Sequence, residues 1–97
     1  MSRGKPVVVR LVLDVLKPNT LPVEMLAENL LQATGVERIQ IDILERDIAT
    51  ETTRITLEGM NLDREEIKKL LEESSCSLRS VDGITVEKTG SRGAWGQ

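Results

Sequence analysis

Hydrophobic residues in this chain follow two different spacings, and the order in which those spacings succeed each other leaves few folds open. From Val7 to Leu16 the period is two. Val7, Val9, Leu11, Leu13 and Val15 make one wholly apolar side, and Val8, Arg10, Val12, Asp14 and Leu16 make a mixed one. Pro18 closes this strand and biases Lys17 to an extended conformation. Val23, Leu26, Ala27, Leu30 and Leu31 then recur at helical spacing, which predicts a helix over residues 21–34. Pro22 suits its first turn, where a missing N–H costs nothing, and Gly35 is placed to take the left-handed conformation that ends a helix.

The period returns to two in residues 37–47, ERIQIDILERD, where Ile39, Ile41 and Ile43 share one side and Gln40, Asp42 and Leu44 the other. After a short turn near Ala49-Thr50-Glu51, residues 52–58 alternate again, with Ile55 and Leu57 inward and Arg54, Thr56 and Glu58 outward. Two such runs joined by a brief loop form a hairpin, which Gly59 ends. A second helix opens at Asp63. Glu66, three residues on, is its expected reciprocal capping partner, and Leu62 with Ile67 is placed as a hydrophobic staple. Ile67, Leu70 and Leu71 supply its buried stripe. The pairs Glu65–Lys69, Lys68–Glu72 and Lys69–Glu73 read as a solvated outer face. A last extended segment covers residues 77–88, with Asp82-Gly83 either a tight turn or a bulge.

The order β-α-β-β-α-β has a well-known solution. Two right-handed β-α-β crossovers put both helices on one face of a four-stranded antiparallel sheet, with the first and third strands central, an α+β ferredoxin-like sandwich. The 97 residues suffice for one such domain, expected over residues 7–89, between a flexible N-terminus of residues 1–6 and a mobile Gly-rich tail of residues 90–97 that carries Trp95. Trp95 is the only aromatic residue, so the core must be built from Leu, Ile and Val.

Composition narrows function mainly by exclusion. One aromatic residue and a net charge of −3 argue against nucleic-acid binding, whether by base stacking or along a phosphate backbone. Histidine is absent, which removes His-based acid–base chemistry, Ser-His or Cys-His nucleophiles and imidazole metal ligands. The single cysteine, Cys76, has no intrachain partner and reads as a small core residue. Residues 1–6 hold no apolar signal region, and no apolar run approaches the length of a membrane span, so a cytoplasmic protein with no membrane partner is expected.

The sheet face opposite the helices holds the functional question. Arg10, Val12, Asp14 and Leu16 should point there, joined by Gln40, Asp42, Leu44, Arg54, Thr56 and Glu58, and by Thr85 and Glu87 from the last strand. The face mixes apolar area with opposite charges, and antiparallel pairing would set acid against base across the ladder. The leading expectation is a non-enzymatic homo-oligomer that uses this face or its strand edges for subunit contacts, with no catalytic residues. The alternative is a regulatory module that binds a small ligand or a divalent cation, calcium or magnesium, between subunits or at acidic residues. Asp14, Asp42 and Glu58 are the first candidate oxygen ligands; the hairpin acids Glu45, Asp47 and Glu51 are the second.

Two segments, RLVLDVLKP at 10–18 and EGMNLDREEIKKLLEESSCSLRSVDGITV at 58–86, resemble an uncharacterised and mainly archaeal family, domain-of-unknown-function family 211. The hairpin DILERDIATETTRITLEG is similar to its middle section. The resemblance covers nearly all of the chain except the tail. It implies a ferredoxin-like fold, closed homo-oligomers, a prokaryotic cytoplasm and, with the acidic positions, bound calcium; it supplies no catalytic residues. Ser74-Ser75 stands where relatives commonly have a Gly-rich turn, and Arg79 where they have a histidine, so any role of that histidine would not carry over.

Overall fold

A computed structural model describes residues 4–89. The elements follow in the order β1 (Pro6–Pro18), α1 (Val23–Leu30), β2 (Val36–Arg46), β3 (Thr50–Gly59), α2 (Arg64–Glu73) and β4 (Ser77–Lys88). All strand pairs are antiparallel and the sheet runs β2-β3-β1-β4, so β1 and β3 are the central pair of a ferredoxin-like α+β fold.

The core follows the alternation of β1. Leu11, Leu13 and Val15 are fully buried, against Ile55 and Leu57 of β3, Leu26 and Leu30 of α1, and Ile67 and Leu71 of α2. Truncating any one of the leucines or isoleucines to alanine should cost about 2–5 kcal/mol, the lost burial of its methyl and methylene groups adding to the cavity left behind. The opposite side of β1 carries Val8, Arg10, Val12, Asp14 and Leu16, none of them buried even though β1 is central. Both helices therefore lie on one face.

Length makes this division uneven. β1 has 13 residues, or about 43 Å of strand, whereas the helices have 8 and 10 residues and span roughly 12–15 Å. The molecule measures 54 × 22 × 20 Å, and the sheet outruns its helical cover. Ile84 of β4 pairs with buried Leu11 yet stays 49% exposed, and Val86 is 51% exposed.

Several boundaries differ from the sequence reading, each for a local reason. β1 starts at Pro6 rather than Val7, and Lys5 is tied to Thr89 by Lys5 N–H to Thr89 Oγ1 (2.8 Å) and Thr89 N–H to Lys5 O (2.9 Å). β1 also continues through Lys17 to Pro18, which pairs with Thr50. The hairpin turn is Asp47-Ile48-Ala49, because Glu51 is drawn into β3 as the register partner of both Lys17 and Arg46. α1 ends at Leu30, four residues before the expected end. Gln32 and Ala33 donate to carbonyls three residues back and wind down the chain. Gly35 does take a left-handed φ of +83°, and a Cβ there would lie 2.0 Å from Met60 O, so glycine is required by both backbone and space.

α2 begins as its sequence signal indicates. Asp63 Oδ1 accepts from the backbone N–H groups of Glu65 (2.9 Å) and Glu66 (3.3 Å), and both Leu62 and Ile67 are in the core. Glu66 does not return to Asp63, however. Its carboxylate accepts from Thr34 N–H at 3.1 Å and pairs with the Thr34 hydroxyl at 3.4 Å, fastening α2 to the loop that precedes β2. Asp82-Gly83 is a bulge in one continuous β4: Val12 pairs with Gly83 and Leu13 with Val81, leaving Asp82 as the extra residue. Residues 1–3 and the whole expected tail, residues 90–97 with Trp95, lie outside the described residues.

Candidate functional site

The registers organise the open face into rows that cross three strands. Arg38 of β2 and Arg10 of β1 both pair with Glu58 of β3, so one row reads plus, minus, plus. Four residues along, Asp42 of β2 and Asp14 of β1 both pair with Arg54 of β3, and that row reads minus, plus, minus. The two rows lie about 13 Å apart at strand rise. Between them runs a neutral row of Gln40, Thr56 and Val12.

The rows differ in how far they satisfy themselves. Glu58 lies 3.6 Å from Arg10 Nε and 3.7 Å from Arg38 Nε, so it is flanked by cations on both sides. These are half-exposed pairs of the kind worth under about 1 kcal/mol each. In the other row no ion pair joins Arg54 to either acid among the described residues. Asp42 accepts instead from the Gln40 side-chain amide at 3.2–3.3 Å, and Asp14 Oδ1 is buried with no hydrogen-bond partner.

This placement bears directly on the acidic candidates. Asp14 and Asp42 are held apart by the whole width of β3, with Arg54 between them, and Glu58 sits in the other row between two arginines. Of the hairpin set, Glu51 is occupied by Lys17 and Arg46, while Glu45 and Asp47 are exposed at the end of β2 and in the turn. Among the described residues no three acidic or cysteine side chains come together as a group able to hold a metal ion. Thr85 pairs with Arg10 and, across the register shift beside it, Glu87 pairs with Val7; both Thr85 and Glu87 line a shallow cavity with Arg10, Arg38 and Glu58.

Among the described residues the most enclosed charge is Lys17, 1% exposed. Its Nζ donates to Pro18 O at 2.8 Å and to Leu21 O, and lies 2.8 Å from Glu51 Oε1. The contact with Glu51 is an ion pair set off the hydrogen-bond direction of Oε1, which accepts no aligned hydrogen bond. Arg46 Nε meets the other oxygen at 3.2 Å. The Lys17 ammonium holds the Glu51 carboxyl below the usual carboxylate range, against a smaller upward push from desolvation and with help from Arg46. Burial pushes the Cys76 thiol up, the Lys17 charge opposing it weakly. Next to Lys17, Asn19 fastens the hairpin turn: its backbone N–H donates to Ala49 O at 2.9 Å and its side-chain amide to Ile48 O.

A lone buried lysine belongs to no charged cluster in the sequence, yet the signal for Lys17 is present there. The buried positions of β1 run 7, 9, 11, 13 and 15, and the next in phase is 17. A lysine on the core side of a strand demands an acid opposite, and antiparallel pairing supplies Glu51.

Fold and face together define a small ferredoxin-like α+β protein with one sheet face uncovered and patterned in charge. The chain belongs to domain-of-unknown-function family 211, described as uncharacterized ArCR, whose model matches residues 9–89. It is also similar to an uncharacterized protein, MJ0319, of the archaeon Methanocaldococcus jannaschii, at 33% identity over 79 residues that cover 81% of each chain. Among the described residues no helix is long and apolar enough to cross a membrane.

Proposed function

We propose that this protein is a non-enzymatic homo-oligomeric module whose copies associate through the open sheet face and the strand edges. The observation that carries this reading is the apolar surface the fold leaves outside the core. Val81, Ile84 and Val86 are exposed along the edge strand β4, and Leu44, 52% exposed, sits in the bulge of the other edge strand, β2. Edge strands present unpaired backbone groups, and exposed aliphatic side chains beside them mark a surface made for contact. A sequence without histidine supports a role in assembly rather than in His-based catalysis. Light scattering across a range of concentrations tests the reading. A mass that is a multiple of the 10.8 kDa chain is expected, and a single-chain mass at every concentration would sink it.

A further inference from the structure

We propose that the open sheet face packs against the same face of a second copy about a two-fold axis that crosses the strands along the row Gln40, Thr56 and Val12. This rests on the homo-oligomer reading above and adds the geometry of one interface. Turning the sheet over about that axis lays each strand on its own counterpart and exchanges the two charged rows. Arg38 then faces the second copy's Asp42, Glu58 faces its Arg54, and Arg10 faces its Asp14, each pair occurring twice. All six oppositions join unlike charges.

An in-plane axis that runs along β3 lays each charged row on itself with β2 and β1 exchanged. Glu58 would meet Glu58, Arg54 would meet Arg54, and Arg10 would meet Arg38. The charge order therefore rejects an axis along β3. A strand-parallel axis between β3 and β1 would instead set Glu58 against Arg10 and Arg54 against Asp14, an arrangement in which mixing the two charge-reversed variants below restores nothing. The neutral row agrees with the axis across the strands, because residues on a two-fold axis meet themselves, and Gln40, Thr56 and Val12 do so without repulsion. The unmatched row agrees as well: among the described residues Asp14 Oδ1 has no hydrogen-bond partner and Arg54 has no ion pair. Two stacked sheets keep their strands within about 30° of each other, so the central Glu58–Arg54 oppositions, nearest the middle of the interface, are preserved best.

The test uses the full chain, with sedimentation equilibrium at low ionic strength and circular dichroism to confirm folding. Glu58→Arg and Arg54→Glu are each expected to weaken self-association by about tenfold or more, because each sets like charges together across the axis. An equimolar mixture of the two should regain association as a mixed dimer, since both oppositions are then restored. Thr56→Lys leaves all six charges in place and sets two ammonium groups on the axis, so it too should weaken association; it decides the matter if the reversed variants do not fold. A wild-type oligomer that all three variants form equally well overturns this axis while leaving the homo-oligomer reading intact. Single variants that dissociate but do not recover on mixing overturn it too. A wild-type protein that is monomeric throughout overturns both.

Discussion

Lys17 Nζ lies 2.8 Å from Glu51 Oε1 across the β1–β3 ladder, and the lysine is all but sealed from solvent. Its two backbone acceptors, Pro18 O and Leu21 O, come from the chain that leads into α1, so one ammonium joins the end of β1, the start of β3 and the approach to the first helix. An ammonium in that position is tolerable only while its partners are in place. Lys17→Ala should destabilise the fold by about 3 kcal/mol or more, combining the broken pair with the lost packing of the buried stem. Replacing both charges, Lys17→Met with Glu51→Leu, should recover much of that loss. Urea denaturation of the single and double variants measures the difference, and a double variant no better than the worse single one would contradict this account.

The same pair sets an acid limb in the stability profile. Glu51 has its folded pKa depressed below its ordinary value near 4.5, chiefly by Lys17. The unfolded state therefore binds the proton first, and this contribution is present above pH 4.5 and lost as pH falls through the lower folded value. Cys76 acts at the other end. Its folded pKa is raised above 9.0 by burial, so its contribution is present below pH 9.0 and lost as pH rises toward the folded value. Melting temperature measured across pH should show both limbs; Glu51→Gln should flatten the acid one and Cys76→Ala the alkaline one.

What could be read from the sequence was whatever repeats within one element. The alternation of β1 and the capping signal of Asp63 both survive in the fold, because strand period and cap chemistry act over a few residues. Features decided between elements could not be read so simply. Glu66 has the spacing of a capping box, but Thr34 brings it a backbone N–H and a hydroxyl from 32 residues away, and the tertiary partners win. Asp14 and Asp42 share a face, but only the register reveals that Arg54 separates them. Lys17 was hidden by Pro18, which makes the strand seem to end before its last buried position.

Ser75 offers a stability gain that the chain does not take. It holds a φ of +65° at the end of α2, where a side chain costs roughly 1 kcal/mol and glycine does not. Ser75→Gly should stabilise the protein by about 0.5–1 kcal/mol. Ser74, with φ −92° and ψ 11°, gains nothing from the same change, so Ser74→Gly should be neutral or destabilising. The pair of variants, compared by denaturant midpoint, separates backbone strain from any general preference for glycine in this turn.

The division of labour between Asp63 and Glu66 can be resolved energetically. Asp63 caps two N–H groups of α2, so Asp63→Ala should cost about 1 kcal/mol. Glu66 serves Thr34 instead, which makes its loss a loss of contact between α2 and the loop before β2. In a reciprocal capping box the two acids would share their effect, and the double variant would cost less than the sum. Here Asp63→Ala and Glu66→Ala should add to within about 0.5 kcal/mol, because their side chains have no common partner. Glu66→Ala and Thr34→Val should not add, since each removes the hydroxyl–carboxylate contact. Two double-mutant cycles measured by urea denaturation decide it. Strong coupling in the first cycle with additivity in the second would return Glu66 to the capping role that its spacing suggests.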